Sequence, residues 1–236
     1  MNLNKLKSMV QPFNNDQKHP YYRPFIVNDL NEQYDIFLVG INPATPIYEN
    51  EIDLDDYVDL LTNEDKFNQK YERIRKENNK PVKSRTRIGI ENFIADIENA
   101  TNKKVLVTNT NFYPTKNEKE LRKVEPGASE QGTKLFLQVL KAHYPKVIIV
   151  HGRGAIKCLV RALYDDKIID SPRTFKGSVK EMKNSDGPYL EFYYRDDKDK
   201  KCAIFVSDHL RFYGNHGDSF SSYRVKIINY MRRGDS

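Results

Sequence analysis

The sequence predicts an α/β protein: a three-layer α/β/α sandwich around a central, mostly parallel, four-stranded sheet. Three observations predict it. Four runs, Ile36–Val39, Lys104–Thr108, Val147–Val150 and Cys202–Ser207, are apolar without polar alternation, the pattern of strands covered on both faces. Stretches with apolar residues at helical spacing alternate with them, which implies crossover helices on both sides of the sheet. Each run also stops in a polar cluster: Gly40-Ile41-Asn42-Pro43, Asn109-Thr110-Asn111, His151-Gly152-Arg153-Gly154 and Ser207-Asp208-His209-Leu210. Parallel strands gather such loops on one edge, where ligands of open α/β sheets sit.

Taken in order, residues 1–34 read as a polar, irregular leader, punctuated by Pro12, Pro20 and Pro24, with Tyr21, Tyr22 and Phe25 wrapping onto the domain. After the first strand comes a helical insertion over about 47–84. Leu54, Tyr57, Val58 and Leu61 share one helix face, Phe67, Tyr71 and Ile74 continue the spacing, and Thr62 with Asp65 marks a second helix start. Ile90, Phe93, Ile94 and Ile97 form the stripe of the next helix. Lys116 to Glu130 reads as a polar loop. Phe136, Val139, Leu140 and His143 then mark a helix, as do Ile156, Leu159, Val160 and Leu163. A polar loop follows over 165–187. Tyr189–Arg195 and Cys202–Ser207 flank a charged tip and read as a hairpin. The last helix carries Phe220, Tyr223, Ile227 and Met231 on one face, capped by Asp218 or Ser219. One domain over residues 1–236 is the expectation.

A formal charge of +6 and a pI near 9.0 suit a polyanionic partner without requiring one. Cys158 and Cys202 are the only cysteines, too few for an all-cysteine zinc or iron–sulfur site. A reduced pair, no apolar signal segment and no run of transmembrane length imply a soluble, cytoplasmic protein. No H-E-x-x-H, P-loop or G-x-S-x-G occurs, which disfavours zinc proteases, NTPases and serine hydrolases. Asn42 and Asn109 each suit either a turn or a positioned amide. His209 suits either packing or hydrogen-bond donation to a ligand. His151-Gly152-Arg153-Gly154 reads as a strand–helix turn with Arg153 as a phosphate contact.

As a set, these segments resemble the uracil-DNA glycosylase superfamily. Gly40-Ile41-Asn42-Pro43 is similar to the G-I-N-P of its mismatch-specific branch and the G-M-N-P of its single-strand-selective branch. Val105–Asn109 resembles the second strand, KVIIVHGRGAIKCL the third strand with its helix, and His209 the histidine of the last motif. The likeness covers about 35–43, 104–115, 146–160 and 203–232, in order. It departs at Ala44, where the family has Gly, and at HLRFYGNHG, where it has H-P-S-P or N-P-S-G.

The resemblance implies a monofunctional DNA glycosylase hydrolysing the N-glycosidic bond of uracil or another deaminated or mismatched base flipped out of DNA. Asn42 would hold the attacking water and His209 would stabilise the departing base. Gly40, Ile41 and Asn109 would line the base site, with Tyr48 or Phe112 as the stacking face. Pro43, Leu210, Arg211 and Arg153 would meet DNA, Leu210 and Arg211 entering the gap left by the base. Such chemistry needs no metal or cofactor. The implied partner is DNA, single- or double-stranded, bound by a monomer. The alternative is a catalytically inactive nucleic-acid-binding protein on the same fold.

Overall fold

The computed structural model describes residues 1–14, 17–170, 178–214 and 216–234. In chain order its elements are α1 (Leu3–Val10), β1 (Ile36–Gly40), α2 (Leu54–Leu61), α3 (Glu64–Glu77), α4 (Arg85–Thr101) and β2 (Val105–Asn109). Then follow α5 (Glu118–Leu121), α6 (Pro126–His143), β3 (Val147–His151), α7 (Arg153–Asp165), α8 (Val179–Asn184), β4 (Leu190–Tyr193) and β5 (Lys201–Ser207). Two 3-10 turns, Leu210–Phe212 and Asp218–Phe220, precede α9 (Ser221–Gly234).

The architecture is α/β, with helices on both sides of a mixed, mostly parallel sheet. The sheet has five strands rather than the expected four, in the order β2-β1-β3-β5-β4. β1 pairs parallel with β3, and β3 with β5. The fifth strand is the first arm of the hairpin: β4 pairs antiparallel with β5, setting Tyr193 opposite Lys201. Its burial alternates, with Leu190 and Phe192 inward and Glu191 and Tyr193 outward, so one apolar face suffices to recruit it as an edge strand. β1 and β3 are buried at every residue, as unbroken apolar runs require.

The described residues fall into two compact units. The first takes Met1–Gln33, Gly40–Val82 and Val107–Ala142. Its leader is not irregular throughout. Asn2 caps α1 by accepting from the Lys5 amide at 2.9 Å, and Leu6, Met9 and Val10 form a buried stripe. Each such side chain contributes about 1.5–3 kcal/mol by leaving water. Tyr22 donates its phenol proton to the Ala128 carbonyl at 2.8 Å, and Tyr57 donates to the Tyr22 carbonyl at 3.2 Å. Tyr21 stacks on Tyr57 at 4.5 Å. The insertion is helical, but Asn63, not Thr62, caps α3. The expected 116–130 loop holds α5 and the start of α6, whose first residue is Pro126, where a missing N–H is harmless.

The second unit takes Tyr34–Val39, Lys83–Leu106 and His143–Ser236. α7 lies on β3 with Ile156, Leu159, Val160 and Leu163 buried. α4 packs on α9, Phe93 stacking on Tyr223 at 6.4 Å; Phe93 also stands edge-on to Tyr213 at 5.5 Å. The expected loop 165–187 contains α8, closed by a Ser178–Glu181 capping box. Residues 171–177 of that loop lie outside the described residues. No described helix is long and apolar enough to cross a membrane.

Candidate functional site

In the first unit, the chain leaving β1 is pinned by the chain leaving β2. Thr110 donates its amide to the Gly40 carbonyl at 2.9 Å, and Asn111 donates to the Ile41 carbonyl at 3.0 Å. Thr115 donates its amide to the Pro43 carbonyl at 3.0 Å. Against this backbone Asn42 is half-buried and its amide is oriented. Its Nδ2 donates to Thr115 Oγ1 at 2.8 Å and to the Pro43 carbonyl at 3.1 Å, with the Tyr113 carbonyl at 3.5 Å. Carbonyl oxygens accept only, so the group facing them must be the NH2, which settles the amide's orientation. Thr115 passes its own proton to the Asn117 carbonyl at 2.8 Å, leaving a lone pair for Asn42. Asn42 Oδ1 therefore remains as an acceptor with no partner among the described residues.

The loop beyond is held by a residue the sequence reading passed over. Arg23 is 7% exposed; its guanidinium donates to the Thr45 carbonyl at 3.1 Å and also to the Ala44 carbonyl. Its backbone amide donates to the Phe112 carbonyl at 2.9 Å, and its guanidinium lies over the Phe67 ring at 5.3 Å. Thr45 needs the clamp, because it sits at φ 64°, a left-handed conformation costly for a β-branched residue. A lone cation inside the aromatic run YYRPF was the available signal.

Other expected residues divide. Gly40 is buried, Ile41 half-buried, and Asn109 half-buried with no side-chain hydrogen bond among the described residues. Tyr48 is half-buried, and burial with Glu51 and Glu120 raises its phenol pKa, so the hydroxyl stays protonated. Phe112 presents no open face: it is fully buried, edge-on to Phe136 at 6.2 Å. Pro43 is likewise buried, its carbonyl consumed by Thr115 and Asn42, so it is no surface contact. Asn111 is structural; its Nδ2 donates to the Ser129 carbonyl at 2.8 Å and its Oδ1 accepts from the Tyr113 amide at 2.9 Å.

In the second unit, β3 and β5 end side by side, His151 opposite Ser207. His209 caps the 3-10 turn that follows: its Nδ1 accepts from the Arg211 amide at 3.2 Å. An Nδ1 that accepts carries no proton, so the neutral ring bears its proton on Nε2 and offers it as a donor. Burial, then Arg211, lowers the pKa of His209 and favours that neutral form. The His151 ring stands edge-on to it at 5.1 Å. His151 is 7% exposed, burial pushes its pKa down to about 3, and its Nδ1 has no hydrogen-bond partner among the described residues. Gly152 turns the chain into α7 at φ 91°, leaving Arg153 exposed on the first helical residue.

The expectation that Leu210 enters DNA is corrected. Leu210 is fully buried, and its carbonyl lies against α4 at Gly89, where a side chain of any size would collide. The loop's outward side chains are Arg211 and Phe212; the ring of Phe212 is 60% exposed with the Arg211 guanidinium 4.5 Å above it. Tyr213 anchors the loop from below through its phenol, which donates to Asp96 and accepts from Arg224. Asp208 pairs with Lys183 at 3.0 Å and leaves His209 without a carboxylate partner in this turn.

No protein-family model matches the chain, and no curated protein matches it in sequence. The first unit supplies an oriented amide with a spare carbonyl oxygen, and the second a neutral imidazole with a spare N–H. Among the described residues no three or more His, Cys, Asp or Glu group as metal ligands.

Proposed function

We propose that this chain is a DNA glycosylase that hydrolyses the N-glycosidic bond of uracil, or of another deaminated or mismatched base, after the base leaves the stack. The observation that carries the reading is the fixed carboxamide of Asn42, whose NH2 is spent on Thr115 and Pro43 while Oδ1 is left to accept. An amide oxygen is a weak base, so its contribution is to hold a water in line for the anomeric carbon. The bond breaks toward the base, which departs with the electron pair as positive charge develops on the sugar. A neutral His209 with its proton on Nε2 supplies a donor for the oxygen on which that negative charge collects. Asn109 offers an amide for the Watson–Crick edge, and Tyr48 a partly open aromatic ring. Phe212, rather than Leu210, is the apolar side chain available to fill the vacated stack, with Arg211 and Arg153 beside phosphates.

The test is to incubate the full chain, with chelator present, with strands containing uracil, a T·G mismatch or hypoxanthine, and to cleave abasic sites with alkali. Cleavage at the altered base supports the proposal. Intact strands from a protein that still binds DNA, with affinity falling steeply as salt rises, would give the place to the inactive binding protein. Intact strands without binding would remove both.

A further inference from the structure

The opposite edge of the sheet carries a second feature that the glycosylase reading does not use. A cleft of about 440 Å³ opens between the end of α7 and the β4–β5 hairpin, lined among others by Lys167, Asp170, Tyr193, Arg195 and Lys198. Tyr193 pairs with Lys201, where β5 begins, whereas His209 lies two residues beyond Ser207, where β5 ends. At ~3.3 Å per residue, the length of β5 puts roughly 20 Å between them.

The cleft's charge is unbalanced. Three of these side chains are cationic and one is acidic. Lys167, Arg195 and Lys198 make no ion pair or side-chain hydrogen bond among the described residues. Two of the three carboxylates at the hairpin tip are engaged elsewhere: Asp196 accepts from the Tyr144 phenol at 2.9 Å, and Asp197 pairs with Lys200 at 3.0 Å. Lys200 is further held over the Tyr144 ring at 4.1 Å. Lys167 is fixed by its backbone, donating its amide to the Tyr164 carbonyl at 2.9 Å from a φ of 58°. That conformation, just past a helix end, suits glycine, yet it carries a long cation. Beside these cations, Tyr193 is 58% exposed on the outward face of an edge strand. Unsatisfied cations next to an open aromatic ring match a phosphate joined to a planar base.

The geometry points to this cleft as a binding site for a nucleoside phosphate, its base on Tyr193 and its phosphate among Lys167, Arg195 and Lys198. The phosphate belongs either to a free nucleotide or to a nucleic-acid strand. Calorimetric titrations of the full chain with thymidine 5′-monophosphate, a short oligo-dT and inorganic phosphate separate the two. Both nucleotide probes should bind more tightly than inorganic phosphate if the source is free nucleotide, and oligo-dT alone if it is a strand. Arg195→Gln with Lys198→Gln should weaken the bound probe at least tenfold. Tyr193→Ala should weaken it about fivefold or more, and Tyr193→Phe should restore it. These side chains are exposed, so the variants should keep the parent's melting temperature. None of these variants touches Asn42 or His209, so single-turnover excision at saturating DNA should be unchanged in them, which keeps this test separate from that of the glycosylase. Nucleotide binding no tighter than inorganic phosphate, or binding indifferent to the double variant, would overturn the assignment.

Discussion

Gly89→Ala should destabilise the protein, against the ordinary preference of a helix. Alanine in a helix interior gains about 1 kcal/mol over glycine. At this position in α4 the added methyl would stand 1.9 Å from the Leu210 carbonyl oxygen, 2.9 Å from its carbon and 3.2 Å from Tyr213 Cβ. Non-bonded heavy atoms rest at roughly 3.5 Å, so the backbone of the 3-10 turn must move by more than an ångström. Two of the three obstacles are main chain, which cannot rotate aside. Overpacking of this kind costs about 1–3 kcal/mol and occasionally more, and the clash here is at the severe end. After the propensity gain, about 2 kcal/mol of destabilisation remains, a drop in melting temperature of about 4–8 °C for a chain of this size. Because Leu210 adjoins His209, the ring signals of His209 should shift in the nuclear magnetic resonance spectrum while the protein stays folded. A variant stabilised by about 1 kcal/mol, with His209 unmoved, would refute the close packing of α4 on this turn.

Two further outcomes follow from the same geometry. Arg23→Met keeps an apolar stem but removes the donors to Ala44 and Thr45; it should cost about 1.5–3 kcal/mol in urea unfolding and open the 43–48 loop to proteolysis. An unchanged midpoint and an uncut loop would show that the clamp is idle. Stability should also fall with acid, because burial holds His151 near 3 and His143 near 4, both below the ordinary 6.5. The unfolded chain therefore takes up these protons first. Stability is level above about pH 6.5 and declines toward pH 4 by roughly 1 kcal/mol per pH unit for each histidine. His151→Phe should lessen that slope by roughly 1 kcal/mol per pH unit in urea midpoints measured from pH 4.5 to 7.5, leaving the His143 share, and a slope equal to the parent's would contradict it.

The sheet was legible because buried parallel strands announce themselves as apolar runs, and β1, β3 and β5 lie where those runs are. β4 was legible as a hairpin arm but not as a member of the sheet, since alternation over four residues does not name the partner strand. α1 was hidden by the prolines around it, although Leu6, Met9 and Val10 carried the helical spacing. The turn after β1 was visible as G-I-N-P; the direction of the Asn42 amide was not, because Tyr113 and Thr115 reach it from 71 and 73 residues away. Leu210 looked outward by position and is inward by packing. Glycine at position 89 permits that burial, a contact across more than 100 residues that local sequence does not encode.

The most direct measurement is single-turnover release of uracil from an oligonucleotide by the parent chain, Asn42→Ala and His209→Ala, at pH 7.5 with chelator. Release by the parent is expected, with a loss of about a hundredfold or more in each variant, as for removal of a preorganised donor or water-holding group. A parent that releases no base, or variants that match its rate, would contradict the assignment of Asn42 and His209.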